Sequence, residues 1–253
     1  MASDGLAASV GVLPPEWHGR YYDAVESTQD EARAAARAGA PDRSIFVADY
    51  QRLGRGRQGR TWLAAPGTAL LLSVLFRDTE PLPRPWRWTS LASLALAEAI
   101  EHLMPARRPA IKWPNDVMLN DRKVAGVLAE TLWNGQELLA VVGVGVNVNN
   151  SDEELNSLPS PATSLKRAAG RAIDRGELLQ AWVRRIDQRL PQPAADLSRA
   201  WEARLWGRGQ RLRLLDLGEA HDVVVLGAAS DGALRVRLPD GAERTTTTGE
   251  LII

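Results

Sequence analysis

The chain has 253 residues, 45% of them hydrophobic and 25% charged, enough apolar material for one large domain or a main domain with a small second one. Its 31 basic and 31 acidic residues cancel, which excludes a global polycation suited to coating nucleic acid. The lack of any cysteine excludes a disulfide scaffold, a thiol nucleophile and Cys-ligated zinc, and no apolar run approaches the roughly 20 residues of a membrane span.

Residues 1–18 are small and polar and end in Pro14-Pro15, which predicts an unstructured leader. The Ala-rich stretch after Ser27 predicts a helix, with Thr28 and Glu31 at capping-box spacing and Gly39 and Pro41 closing it. Ser44–Tyr50 is strand-like, Gln51–Gly67 is a Gly/Arg loop, Thr68–Phe76 is a buried strand, and Trp88–Met104 is an amphipathic helix. Ala110–Asn149 predicts a strand meander, with turns at Asn120-Asp121 and Asn134-Gly135 and two long central strands, 123–133 and 137–148. Asp174–Leu190 and Ala194–Leu205 are helical in pattern. From Trp206 onward, short strands at 211–215, 222–226, 233–238 and 243–248, with Asp-Gly turns, suggest a small β-barrel. The domain expectation is therefore a leader at 1–18, a main domain at 19–205 and a barrel at 206–253.

The most unusual segment is Gly54-Arg55-Gly56-Arg57-Gln58-Gly59-Arg60-Thr61. As a dinucleotide fingerprint it lacks the helix that must follow, and as a Walker loop it carries Arg60 in place of lysine. What remains, with Arg52 just before it, is a loop with four arginines (Arg52, Arg55, Arg57 and Arg60), three glycines and no acid. Such a loop repels itself, so it is expected to be poorly ordered until it wraps an anion with guanidinium and backbone N–H groups.

Ile111-Lys112-Trp113-Pro114-Asn115-Asp116 ends a strand at a proline corner and groups a cation, an amide and a carboxylate there. This set suits phosphate, metal or amine handling, and it equally suits a turn with a local ion pair. Lys123 enters the apolar run Val124–Ala129 and must reach a counter-anion or water. Gly126, Gly143 and Gly145 thin strands for a close approach or a bulge, and Asn147 can read a planar edge. Only three of the 31 basic residues are lysine, Lys112, Lys123 and Lys166. Codon bias alone would explain that shortage, but arginine and lysine are not interchangeable, so the lysines that remain merit inspection. His18, His102 and His221 show no metal spacing.

Glu26-Ser27-Thr28, Gln51 with Gly54–Arg60, Lys112–Asp116, Lys123–Glu130 and Gly143–Asn147, in this order and spacing, resemble the biotin protein ligases (biotin–[acetyl-CoA-carboxylase] ligases). The resemblance covers about residues 20–150. It implies an α+β fold, with a mixed, mostly antiparallel sheet flanked by helices as in class II synthetases and biotin/lipoate ligases, plus a C-terminal SH3-like barrel. It implies ATP-dependent attachment of biotin, through biotinyl-5′-AMP, to a lysine of a biotin carboxyl carrier protein, with Mg²⁺ accompanying ATP.

By the same resemblance Lys112, Lys123, Arg57 and Asp116 are the catalytic candidates, Lys112 near the α-phosphate and Lys123 near the biotin carboxylate. Ser27, Thr28, Gln29, Gln51, Gly54, Arg55, Gly56, Arg57, Lys123 and Gly126 match biotin-binding positions. Arg57, Arg60, Trp62, Lys112, Asn115 and Asn147 match ATP-binding ones; no metal ligands are assigned. Gln29 stands where Asn is expected, and Gln58 where a basic residue is common. A cytoplasmic, monofunctional enzyme without a DNA-binding domain is expected, with no DNA or membrane partner and with homodimerisation left open. Two other readings are lipoate or octanoyl transfer on the same fold, and an RNA-binding module using the arginine loop and the barrel.

Overall fold

In chain order the elements of this computed structural model, which describes residues 5–78, 85–133, 135 and 137–252, are α1 (Leu6–Gly11), β1 (His18–Val25), α2 (Thr28–Arg37), β2 (Ser44–Gln51), β3 (Ala69–Asp78) and α3 (Pro85–Leu103). They continue with β4 (Ala110–Lys112), β5 (Asp116–Leu119), β6 (Arg122–Trp133), β7 (Leu138–Asn147), α4 (Asp152–Asn156), α5 (Leu165–Ala169), α6 (Arg175–Arg189) and α7 (Ala194–Glu202). The C-terminal part holds β8 (Arg211–Asp216), β9 (Glu219–Ala228), β10 (Leu234–Arg237), β11 (Glu243–Thr246) and β12 (Glu250–Ile252).

The first seven strands form one sheet in the order β1-β2-β3-β7-β6-β5-β4. All neighbours are antiparallel except β1 and β2, which α2 joins as a crossover. This is the expected mixed, mostly antiparallel sheet with flanking helices. Asn134 lies outside the described residues, but the predicted hairpin around it is present, because Trp133 pairs with Leu138.

Strand alternation divides the two faces. Val142, Val144 and Val146 of β7, with Leu70, Leu72 and Val74 of β3, join the large core that holds α3 and α6. On the opposite face Leu139 and Val141 pack with Leu75, Phe46 and the α2 alanines Ala32 and Ala36 in a smaller core. Further along that second face the strands carry Gly143, Gly145 and Asn147, so apolar cover gives way to a bare floor. The cleft described below lies on this floor.

Three sequence expectations need correction. The described part of the leader is ordered: α1 buries Leu6 and Val10, and Gln180 Nε2 on α6 donates to Ser9 O at 2.7 Å. Its i,i+4 apolar pair has a partner only once α6 is in place, about 170 residues away, so local composition could not show it. Next, the cap of α2 is Ser27, whose hydroxyl accepts from Gln29 N at 3.3 Å, and Thr28 is the first helical residue. A capping role for Thr28 is thereby removed, and its hydroxyl turns to the cleft.

The third correction concerns the C-terminal sheet, which is antiparallel in the order β11-β10-β9-β8-β12 and does not close into a barrel among the described residues. The last strand, β12, pairs with β8 and spends its outer side on the main domain: Lys112 Nζ donates to Leu251 O at 3.0 Å. The Asp231-Gly232 turn anchors the other end of this sheet. Trp113 Nε1 donates to Gly232 O at 2.9 Å, while the Trp86 ring, edge-on to Trp201 at 4.5 Å, occupies the space a Cβ at Gly232 would need.

Candidate active-site cleft

The floor of the cleft follows from sheet register. Gly145 stands between Leu71 and Gly126 on the neighbouring strands, and Gly143 stands between Ser73 and Leu128. A Cβ at Gly145 would lie 2.6 Å from the Trp62 ring, and one at Gly126 would lie 3.3 Å from both that ring and Lys123 Nζ. These glycines therefore make room for an indole and an ammonium rather than for a bulge, because the β6–β7 register runs unbroken. A Cβ at Gly143 would lie 2.7 Å from Gln29 Oε1.

The cleft above this floor gathers most of the predicted residues. Ser27, Thr28, Gln29 and Gln51 line one part, with Arg55, Gly56, Arg57, Arg60 and Trp62 from the loop. Asn115, Asp116, Lys123, Gly126 and Asn147 complete it. Of the predicted set, Gly54 and Lys112 are not among its lining residues. Gly54 instead borders a second groove behind the loop, and its carbonyl accepts Trp62 N at 2.9 Å. Lys112 is buried and reaches the C-terminal strand.

The polar end is a continuous hydrogen-bond network. Gln51 Oε1 accepts Thr28 N at 2.7 Å, Thr28 Oγ1 lies 2.9 Å from Ser73 Oγ, and Ser73 Oγ donates to Gln29 Oε1 at 3.0 Å. Gln29 Nε2 donates to Glu130 Oε2 at 3.0 Å and to Val141 O at 3.2 Å. At the other end Trp62 Nε1 and Asn147 Oδ1 are buried without a partner, a donor and an acceptor both unsatisfied. Asn147 Nδ2 is already committed to Thr163 O at 3.2 Å. Buried polar groups left this way are costly, which marks this end as a place where a ligand supplies partners.

Between the two ends lies the charge. Lys123 Nζ is 2.6 Å from Asp116 Oδ1 and 5.7 Å from the centre of the Trp62 ring. Lys112 Nζ lies 3.7 Å from both Asp116 Oδ2 and Glu250 Oε1. Arg57 donates to Asn115 Oδ1 at 3.2 Å. Burial lowers the pKa of the Arg57 guanidinium from its ordinary value, and Arg60 adds to this while Glu250 and Asp116 oppose it. Burial also tends to raise the Glu250 carboxyl, but the Arg60 hydrogen bond and the charges of Lys112, Arg60 and Lys123 outweigh it and hold the group below the usual glutamate value.

The Gly-Arg loop is ordered, contrary to its expected self-repulsion. Gly56 N donates to Arg60 O at 2.7 Å, Arg57–Gly59 forms a 3₁₀ turn, and Arg55 bridges to Thr61. Its cations find acids from elsewhere: Arg52 with Glu26 at 3.5 Å, Arg55 with Asp30 at 2.8 Å and Arg60 with Glu250 at 2.8 Å. Glu250 is 190 residues away, so a count of charge within the loop misses the compensation.

Sequence reasoning also missed Ser73, the wall formed by Leu158, Pro159, Ser160 and Ala162, and Glu250. Alternation along β3 could have placed Ser73 on the cleft face. The 158–162 wall has no motif, and backbone bonds tie it to Lys123, from Lys123 N to Pro161 O and from Thr163 N to Lys123 O.

Residues 22–147 match the biotin/lipoate A/B protein ligase family. The chain is 34% identical over 226 residues to the biotin–[acetyl-CoA-carboxylase] ligase of Mycobacterium tuberculosis, covering 85% of this chain and 80% of that protein. It belongs to the biotin/lipoate A/B protein ligase family. The bifunctional ligase/repressor BirA of Bacillus spizizenii is 31% identical over 230 residues, 88% of this chain and 70% of the relative. Among solved structures, the Aquifex aeolicus biotin protein ligase in complex with biotin and ATP superposes with a TM-score of 0.78 at 28% identity, covering 92% of this chain and 97% of that one. Within this ligase family fold, the bare sheet face and the Gly-Arg loop of the present chain bound a single cleft.

Among the described residues no group of three or more His, Asp or Glu side chains is placed to hold a metal ion, and no helix is long and apolar enough to cross a membrane.

Proposed function

We propose that this chain is a biotin protein ligase that uses ATP to join biotin to a lysine of a biotin carboxyl carrier protein, through biotinyl-5′-AMP. The observation that carries this reading is the cleft's division into a polar network at one end, unpaired Trp62 and Asn147 groups at the other, and the Lys123–Asp116 pair with the arginine loop between them. Relatives and solved neighbours named as biotin ligases, one of them bound to biotinyl-5-AMP, support the same chemistry.

In the first step a biotin carboxylate oxygen bonds to the α-phosphorus of ATP and pyrophosphate leaves. Both reactants are anionic, so converging cations lower the repulsion and the transition-state charge. Lys123 and Arg57, and Arg60 beside them, stand where the charged groups meet. Ser27, Thr28 and Gln51 take the head group, with Gln29 behind them. Gly54, Arg55, Gly56 and Gly126 bound its path, while Trp62, Asn115 and Asn147 take the nucleotide. Lys112, held by Leu251 and two carboxylates, acts by fixing Asp116 and the C-terminal strand. Mg²⁺ enters with ATP as the substrate complex.

In the second step the acceptor lysine's neutral ε-amine attacks the mixed anhydride and AMP leaves. The arginine loop, already held by its turn and ion pairs, covers the anhydride and keeps water from it. The setting is the cytoplasm, where ATP and carrier proteins meet. The pairing of three loop arginines with acids speaks against an RNA-binding module.

Biotin-dependent ATP–pyrophosphate exchange tests the reading, with lipoate and octanoate as parallel substrates. Exchange with biotin alone is expected. Folded protein that exchanges only with lipoate or octanoate, or not at all, overturns it.

A further inference from the structure

The Trp62–Asn147 end of the cleft is closed by two lips from different parts of the chain, Trp62 and Leu63 on one side and the 158–162 wall on the other. Each lip is pinned at one of its ends. Trp62 N donates to Gly54 O at 2.9 Å, and Pro161 O of the wall accepts Lys123 N at 3.0 Å. Their other ends converge on one carboxylate. Glu154 belongs to α4, the helix that leads into the wall, and its Oε1 accepts Ala65 N at 3.1 Å and Thr68 Oγ1 at 3.4 Å. Its Oε2 accepts Ser151 N at 2.7 Å, and Ser151 Oγ accepts Glu154 N at 3.2 Å in return. That reciprocal pair is a capping box. A box needs only one oxygen of its carboxylate; here the second reaches across to the turn that follows Trp62.

We propose that Glu154 is a positioning residue for the nucleotide, a clasp that joins the two lips and holds this end of the cleft in its binding shape before the ligand arrives. Glu154 is not among the residues that line the cleft, so it acts through Trp62 and the wall. The assignment rests on the reading that ATP fills the end where Trp62 Nε1 and Asn147 Oδ1 lie buried without partners. A ligand that meets an opened end binds only the closed fraction, and its apparent affinity falls with that fraction. The charges at Lys123 and Arg57 and the polar network around Thr28 are untouched by the clasp.

Glu154→Ala is expected to raise the KM for ATP about fivefold in biotin-dependent ATP–pyrophosphate exchange, the scale of one solvent-exposed hydrogen bond to a carboxylate. Its kcat and its KM for biotin are expected to stay within about twofold of the parent. Ser151→Ala is the control, because it removes the N-cap bond of α4 and leaves the tie from Glu154 to Ala65 in place. It is expected to keep all three constants within about twofold. Hydrogen exchange on the full, ligand-free chain supplies a second readout. In Glu154→Ala, segments 62–68 and 151–162 are expected to lose protection together. An unchanged ATP KM in Glu154→Ala, an equal rise in Ser151→Ala, or protection lost in one segment alone overturns the clasp and leaves the ligase reading intact. A parent protein without biotin-dependent exchange overturns the ligase reading, and the paired loss of protection then decides the clasp.

Discussion

Asp116 sits between two lysines, 2.6 Å from Lys123 Nζ and 3.7 Å from Lys112 Nζ, and the two ammonium groups have different surroundings. Lys123 lines the cleft against Trp62, whereas Lys112 is 6% exposed and bound to Leu251 O. Lys123→Met is therefore expected to lower exchange activity by about 10²–10³-fold, as loss of a preorganised charge does. Its thermal midpoint is expected to stay close to the parent's. Lys112→Met leaves the buried Leu251 carbonyl without its donor and takes one of two cationic partners from each of Asp116 and Glu250, and is expected to cost about 1–3 kcal/mol of stability, read from urea unfolding. If Lys112→Met instead keeps its stability and loses activity at saturating ATP, its ammonium serves the reaction directly. The sequence made both lysines conspicuous through their scarcity. It could not separate their tasks, because the Leu251 carbonyl that claims Lys112 lies 139 residues away.

Among the elements, the arginine loop and β12 depend on each other. Arg60 pairs with Glu250 of β12, whose carboxyl is held below its ordinary value because its cationic partners outweigh burial. A depressed carboxyl pKa contributes stability that is present above the unfolded-state value and lost as pH falls through the folded one. Acidification below about pH 4.3, the unfolded-state glutamate value, is expected to loosen β12 and the loop progressively. Glu250→Gln is expected to flatten that dependence, measured as the urea midpoint against pH. Protease cleavage near Arg55–Arg60 is expected to rise on the acid side in the parent. A second test concerns the glycine floor. Gly145→Ala places a methyl 2.6 Å from the Trp62 ring and is expected to cut exchange activity at least about tenfold while the fold persists, checked by circular dichroism. Glycines in a strand signalled a close approach in the sequence, but not that a tryptophan of the same chain is what approaches.

Across the full chain, the main sheet and the C-terminal sheet meet through tryptophans. Trp86 packs edge-on to Trp201 and over Gly232, and Trp113 donates to the Gly232 carbonyl. Gly232 has φ +88° and no room for a Cβ, so Gly232→Ala is strained on both counts. A loss of about 2–4 kcal/mol is expected in denaturant unfolding. Activity is expected to fall in parallel, because the same sheet carries Glu250 and Leu251 to the Lys112–Asp116 corner beside the cleft. Unchanged activity in the destabilised variant would show that the C-terminal sheet does not help to hold the site.

Local patterning was enough to give the sheet's long strands, the α3 and α6 helices, the Asp-Gly turns and the motifs that lead to the family, since each depends on neighbours within a few residues. Register and packing decided the rest. They order α1 against α6, move the α2 cap to Ser27 and leave the C-terminal sheet open. They also divert Lys112 from the cleft and neutralise an arginine loop that looks self-repelling on its own. In three of these cases the deciding partner lies far along the chain, as Gln180 does for Ser9, Leu251 for Lys112 and Glu250 for Arg60. A sequence displays charge and polarity residue by residue, but which donor meets which acceptor is fixed only when the sheet brings distant strands to one face.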